Sequence, residues 1–306
     1  MIGDRVTVVV LTFNRCREVL RTLAALERAV DDARIVVVDN ASSDGTADAI
    51  ASRHPAVHLV RLAGNLGAAA RNEGARAATT SYVAFCDDDT WWLPGALATA
   101  AAALDAHPRL AAVTARVVVG AARRDDPTNA RMAASPLPNR LGVDGAEILG
   151  LLGGACMVRR DAFLAAGGYH RRFFLGGEER LLAVDLAAAG WHMAYLPAAV
   201  VCHEPSVLRD LAARRRLDAR NALWFAWMRR PPRIAAKATL AWWKHAREGT
   251  TRLSDVLDAL SGLGFVVRER RLLPPDVERA LRTIEAFYGT PAQAPSVSAK
   301  LESTPG

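Results

Sequence analysis

At 306 residues, 51% hydrophobic and 23% charged, the chain suits one large domain, or one domain with an appendage, and is too apolar to be wholly disordered. No run reaches the ~18 uninterrupted apolar residues of a spanning helix. The four cysteines (Cys16, Cys86, Cys156, Cys202) form no CxxC pair, which disfavours a disulfide framework or zinc site. The net charge of +7 is concentrated: residues 206–247 hold eleven basic residues against two acidic ones, so this segment carries +9 and the rest −2.

The first five residues run into a strand-like segment without a signal peptide's basic head and apolar stretch, which with reduced thiols predicts a cytoplasmic protein. Residues 6–11 are a continuous apolar run, as in a parallel strand covered on both faces. A helix is predicted over about 15–30, with Val19, Leu20, Leu23 and Leu26 on one side. A second buried strand at 35–38 leads into a loop dense in turn and capping residues, which opens a helix near Thr46. A strand at 57–60, an Ala-rich helix over 67–78 and a strand at 82–85 complete a β-α-β-α-β rhythm, predicting a mostly parallel sheet with helices on both faces.

Beyond Pro94 an Ala-rich helix runs to about Ala106, and a strand follows at 110–119. Residues 120–140, rich in Arg, Asp, Pro and Asn, are expected to be a long surface loop of the kind often used as a lid. A Gly-rich stretch, a short strand at 155–158, a helix over 161–166 and a helix ending at Gly190 come next. After His203 the chain turns to basic helices with Trp224, Trp227, Trp242 and Trp243. The expected organisation is a first unit over 1–205, a helical extension over 206–290 and a disordered tail over 291–306.

In an open parallel sheet, ligands bind beyond the carboxyl ends of the strands. Asp39 and the triplet Asp87-Asp88-Asp89 fall there. Adjacent carboxylates repel unless a cation or hydrogen bonds offset them; a divalent ion on a phosphate-bearing ligand is one resolution, a solvated acidic turn before the next helix the other. The third helix opens with Gly64-Asn65-Leu66-Gly67 and continues to Arg71-Asn72, where glycine, a helix N-terminus and an arginine suit an anion. The turn after the first strand reads Thr12-Phe13-Asn14-Arg15, lacking the glycines of a dinucleotide fold or of a nucleotidylyltransferase.

Together these elements resemble the family 2 glycosyltransferases of the GT-A fold. The resemblance rests on residues 9–15, on residues 36–46 around Asp39, on Asn65/Gly67/Arg71/Asn72 and on the DxD-type triplet, and it covers roughly residues 4 to 205. It extends to Gly177-Glu178-Glu179 followed by Ala189-Gly190-Trp191, where members carry Gly-Glu-Asp. Glu179 occupies the position of the catalytic Asp, one methylene longer, with Glu178 as second candidate and Arg180 in reach of either carboxylate. Without the resemblance, two glutamates at a helix N-terminus are explained by the helix dipole.

The resemblance implies an inverting transferase that moves a sugar from a UDP- or dTDP-sugar to a hydroxyl of a glycan, glycolipid or small-molecule acceptor. Thr12, Asn14, Arg15, Asn65, Gly67 and Asp88 would line the nucleotide-sugar site, and Asp39 would accept from the base imide N–H. Asp87 would contact the ribose or a metal-bound water. Asp89, with Asp87 and His203, would hold Mg²⁺ or Mn²⁺, while Arg71 would offset the diphosphate charge. Glu179 would act as general base in a single displacement. The alternatives are a nucleotidylyltransferase making such donors, or a non-catalytic binding protein on a degenerate transferase fold.

In the basic segment, Arg233, Lys237, Lys244 and Arg247 fall within about 80° around a helix. One reading is contact with an anionic membrane surface at the inner face, near a lipid-linked acceptor. The other is a solvated helix packing its tryptophans on the first unit or on a second subunit of a homo-oligomer. Nucleic acid is disfavoured, because no recognised binding module accompanies the charge.

Overall fold

The computed structural model describes residues 1–30, 32–205, 211–245 and 253–289. Its elements in chain order begin β1 (Val6–Thr12), α1 (Cys16–Ala29), β2 (Arg34–Asp39), α2 (Thr46–Arg53) and β3 (His58–Arg61). A 3-10 turn at Gly67–Ala70 leads directly into α3 (Arg71–Ala77). Then follow β4 (Tyr82–Asp87), β5 (Thr90–Trp92), α4 (Ala96–Ala106), β6 (Leu110–Val119), β7 (Arg124–Asp125), α5 (Pro127–Ala133), β8 (Ala146–Ile148) and β9 (Cys156–Arg159). The second half holds α6 (Arg160–Ala165), α7 (Glu178–Ala188), β10 (His192–His203), α8 (Leu211–Arg229), α9 (Pro232–His245), α10 (Leu253–Ser261), α11 (Leu263–Arg268) and α12 (Pro275–Tyr288).

The strands form one sheet in the order β3-β2-β1-β4-β9-β6-β10-β5, with β7 on β6 and β8 on β10. The predicted parallel strands β3, β2, β1 and β4 make up one half. Strand β9 then runs antiparallel between β4 and β6, β6 and β10 are parallel, and β5 closes the edge antiparallel to β10. Side-chain alternation divides the apolar runs between two faces. Val6, Val8 and Val10 face a core shared with α1, α2 and α4, while Val9, Val83 and Phe85 face one shared with α3, α6 and α7. A third core joins α7 to α8, α11 and α12 through Leu181, Val184, Trp224, Phe225, Phe265 and Leu281.

Two segments depart from expectation. Residues 120–140 are not a free loop: β7 pairs with β6, and α5 begins with Pro127 behind Asp126, which accepts from the Thr128 N–H at 2.8 Å. Asn129 fastens this helix to the sheet by exchanging hydrogen bonds with the Val117 backbone at 2.9 and 2.7 Å. The second departure is β10, absent from the prediction because Pro197 interrupts it. Its register against β6 shifts between Leu196 and Val200, so the proline sits where the ladder is already broken. The expected tail over 291–306 lies outside the described residues.

Candidate active site

The carboxyl ends of β1, β2 and β4 lie side by side, because Thr12 is in register with Asp39 and Leu11 with Asp87. Asp39 is buried, its Oδ2 accepts from the Ser42 N–H at 3.3 Å, and its Oδ1 has no hydrogen-bond partner. Asn14, with a left-handed φ of 52° that asparagine tolerates, accepts from the Ser43 N–H at 2.7 Å and so ties the first strand's turn to the second's. Asn40 orders the next loop: its Oδ1 accepts from the Leu66 N–H at 2.8 Å and its Nδ2 donates to Asn65 Oδ1 at 2.9 Å. Gly67, at φ 60°, lets this loop meet the Phe174 carbonyl, which accepts from the Ala68 N–H at 2.7 Å.

The acidic triplet is not a solvated turn, since Asp88 and Asp89 are 5% and 1% exposed. Arg15 neutralises both, donating to Asp88 Oδ1 at 2.7 Å and Asp89 Oδ2 at 3.2 Å, while Thr12 donates to Asp88 Oδ2 at 3.3 Å. Burial pushes the Asp88 carboxyl up to about 7; Arg15 opposes this and the neighbouring Asp89 and Asp87 add to it. Asp87 turns instead to Arg71, with which it forms a hydrogen-bonded ion pair. His203 enters from β10 with its Nε2 3.6 Å from Asp89 Oδ1.

Glu179 and Glu178 start α7 on the same side. Glu179 is partly buried and accepts from the Gly153 N–H. Gly153 and Gly154, between β8 and β9, make this convergence sterically possible. A Cβ at Gly153 would lie 2.8 Å from Glu179 Oε1 and 3.7 Å from Arg71 Cζ, and one at Gly154 would lie 2.6 Å from Asp87 Oδ2. Glu179, Arg71 and Asp87 therefore meet over two glycines, where a side chain would displace the carboxylates of Glu179 and Asp87. Burial raises the pKa of Glu179, opposed by the Gly153 N–H and the Arg71 charge. Burial and then Glu179 push Glu178 up to about 7, and its Oε2 has no hydrogen-bond partner. Burial disfavours the charge of Arg71, but Asp87 and Glu179 nearby hold its pKa above the ordinary value.

Arg180 does not pair with either glutamate, contrary to expectation. It points into the helical layer, donating to Glu285 Oε1 at 2.6 Å with its guanidinium 4.1 Å from the Phe225 ring centre, and burial lowers its pKa to about 10. Gly153, Gly154 and Asn221 also shape this site. Asn221 on α8 donates to the carbonyls of Phe173, Leu175 and Gly176 at 2.8, 3.1 and 2.5 Å, holding the chain that delivers Glu178 and Glu179. The glycine pair was a readable signal; Asn221 carried none, because its partners are backbone atoms 45 or more residues away.

Among the described residues no three His, Cys, Asp or Glu side chains are grouped to hold a metal. Asp89 and His203 form a pair, a donor set that fits a hard divalent ion keeping waters and substrate phosphates as its other ligands. Asp87, expected to join them, is engaged by Arg71.

Residues 7–165 match the Glycosyl transferase family 2 profile. The N-acetylglucosaminyl-diphospho-decaprenol L-rhamnosyltransferase of Mycobacterium tuberculosis is 27% identical over 289 residues, covering 79% of this chain and 92% of the relative. An uncharacterised glycosyltransferase of the same species is 34% identical over 196 residues, covering 64% of this chain and 85% of the relative. The fold is similar to that of the Pyrobaculum calidifontis mannosyltransferase PcManGT in complex with GDP-Man and Mn²⁺ (TM-score 0.57, 22% identity, 95% of this chain and 88% of that one). It is also similar to that of S. aureus TarS 1-349 in complex with UDP-GlcNAc (TM-score 0.56, 17% identity, 90% and 83%). The neighbours are GT-A enzymes, as the sheet and its flanking helices are here. The chain belongs to glycosyl transferase family 2 and is a glycosyltransferase, which sets aside the nucleotidylyltransferase and non-catalytic alternatives.

Proposed function

We propose that this glycosyltransferase moves a sugar from a UDP- or dTDP-sugar, with inversion, to a hydroxyl of a lipid-linked glycan. The observation that carries the reading is the meeting of Glu179, Arg71 and Asp87 over Gly153 and Gly154. The name of the Mycobacterium tuberculosis relative supports a deoxysugar donor and a polyprenyl-diphosphate-linked acceptor.

In this reading Asp39 Oδ1 accepts from the imide N–H of the nucleotide base, which supplies the partner that this buried atom lacks. Glu179 takes the proton of the acceptor hydroxyl as that oxygen attacks the anomeric carbon. The bond from that carbon to the diphosphate oxygen breaks, and its electron pair leaves with the nucleoside diphosphate. Arg71, fixed by Asp87, offsets the charge that develops there. Asp89 and His203 are the residues to hold Mg²⁺ or Mn²⁺, which supplies Lewis-acid stabilisation of the diphosphate when bound. Because one displacement suffices, the anomeric configuration inverts.

A membrane-facing role for the basic helices accompanies this acceptor. Arg233, Lys237 and Lys244 are exposed on α9, and Leu240 and Trp243 beside them are 64% and 49% exposed. Arg209 and Arg247, counted in the same basic segment, lie outside the described residues. No helix among the described residues is long and apolar enough to cross a membrane.

The test is a thermal-shift screen of UDP-, dTDP- and GDP-sugars with and without Mn²⁺, followed by transfer to a polyprenyl-diphosphate-linked N-acetylglucosamine. Stabilisation by a UDP- or dTDP-sugar and a product of inverted configuration are expected. Stabilisation by GDP-sugars alone, or a retained configuration, contradicts the reading.

A further inference from the structure

The charged groups at the strand ends come from residues up to His203, yet helix α8, outside the family-matched segment 7–165, faces the same site. Asn221 on α8 grips the carbonyls from Phe173 to Gly176. Asp218 lies against the same turn, since any side chain at Gly176 would overlap its Oδ1. Arg214 stands four residues before Asp218 and seven before Asn221, so at 100° per residue all three fall within about 60° on one helix face. That face lies along the chain that leads into Glu178 and Glu179, and the charge of Arg214 favours the ionised form of both glutamates and of Asp218.

Arg214 Nε is nevertheless buried without a hydrogen-bond partner, as is Arg71 Nε, whose charge reaches the same two glutamates. Glu178 Oε2 and the Tyr169 hydroxyl, beside Arg71, are likewise without partners. A buried cationic donor costs free energy unless an acceptor reaches it. Two such donors around one carboxylate pair suit a ligand with several anionic oxygens.

We infer that Arg214 is a second phosphate-binding cation of this site, supplied by the helical extension and holding a diphosphate together with Arg71. The inference rests on the proposed function, in which two diphosphates visit the cleft: that of the nucleotide donor and that of the lipid-linked acceptor. Their shared chemistry is what Arg214 would recognise, and the experiment separates them.

Full-length wild type, Arg214→Ala and Arg214→Lys are titrated calorimetrically with UDP and dTDP in Mn²⁺, with the fold checked by circular dichroism. Donor and acceptor KM values and the pH–rate profile are measured in parallel. If the donor diphosphate is held, Arg214→Ala weakens nucleoside diphosphate binding about tenfold or more. If the acceptor diphosphate is held, that affinity stays and the lipid acceptor KM rises about tenfold or more. Arg214→Lys, which keeps the charge but not the fork, is expected to fall between alanine and wild type and carries the test should the alanine variant not fold. Affinities and KM values within about twofold of wild type in the folded variants overturn the inference, including the case in which only the acidic limb of the pH profile moves. A wild-type protein that binds neither nucleotide and transfers no sugar overturns the proposed function first and this inference with it.

Discussion

Buried arginines serve opposite ends in two regions of this molecule. In the helical layer, Arg229 holds Asp185 through two bonds of 2.6 and 2.8 Å and donates to the Glu269 carbonyl at 2.9 Å. Arg230 binds Glu278 at 2.8 Å and Glu285 at 2.6 and 2.9 Å. Apart from scattered atoms such as Arg270 Nη1 and His170 Nδ1, this layer answers its own polar groups. At the strand ends, by contrast, Asp39 Oδ1, Arg71 Nε, Glu178 Oε2 and the Tyr169 hydroxyl lie buried without partners. The same residue type at the same depth is structural glue where every donor is satisfied, and is proposed as a ligand contact where one donor, such as Arg71 Nε, is not.

The largest effect is expected at Glu179, the proposed general base. Glu179→Gln is expected to lower kcat by about 10²–10⁴-fold while leaving the protein folded, and near-normal transfer would remove Glu179 from its role. Because burial raises the Glu179 pKa, wild-type kcat should fall on acidification from a pH above the ordinary carboxylate range. Next come the two arginines. Arg71→Ala should cost about 10²–10³-fold in turnover, read in steady-state kinetics. Arg230→Ala should instead cost about 1.5–3 kcal/mol in denaturant unfolding, because Glu278 and Glu285 lose their bonds to this guanidinium and keep only Arg282 and Arg180 as cationic partners. Equal stability losses in both variants would erase the distinction.

A smaller effect is expected at Glu178, whose pKa in the fold is about 7. The folded chain keeps a proton there that the unfolded chain loses near pH ~4.3, so this group's ionisation lowers stability as pH rises from about 4.3 to 7. Glu178→Gln should therefore raise Tm at pH 8 by about 2–4 °C, the shift given by about 1 kcal/mol in a chain approaching this size, and leave it unchanged at pH 4. The membrane term bears on binding rather than stability, at about 1 kcal/mol for each basic residue near an anionic surface. Lys237→Glu/Lys244→Glu should reduce flotation with anionic liposomes; absent, salt-insensitive binding in both proteins would discard the membrane role.

Much of this was legible in the sequence. Strands β1, β2 and β4 are buried on both faces and so read as unbroken apolar runs, and the turns after them carry Asp39 and the Asp87 triplet without interruption. What escaped depends on distant pairing. Strand β10 was hidden by Pro197, which is tolerated only because the register against β6 shifts there. The 120–140 segment looked like a lid because its composition is polar, yet Asn129 spends its amide on the β6 backbone. Arg180 was placed beside the glutamates by its position in the chain, while the helix turns it toward Glu285. Asn221 and Arg214 could be found only once α8 was seen lying along the turn before Glu178.

The most direct test is a crystal structure with bound UDP or dTDP and Mn²⁺. The base imide N–H is expected at Asp39 Oδ1, the diphosphate within reach of Arg71, and the ion on Asp89 and His203. A nucleotide bound away from the ends of β1, β2 and β4, with Asp39 Oδ1 and Arg71 Nε still unpartnered, would contradict the proposed function.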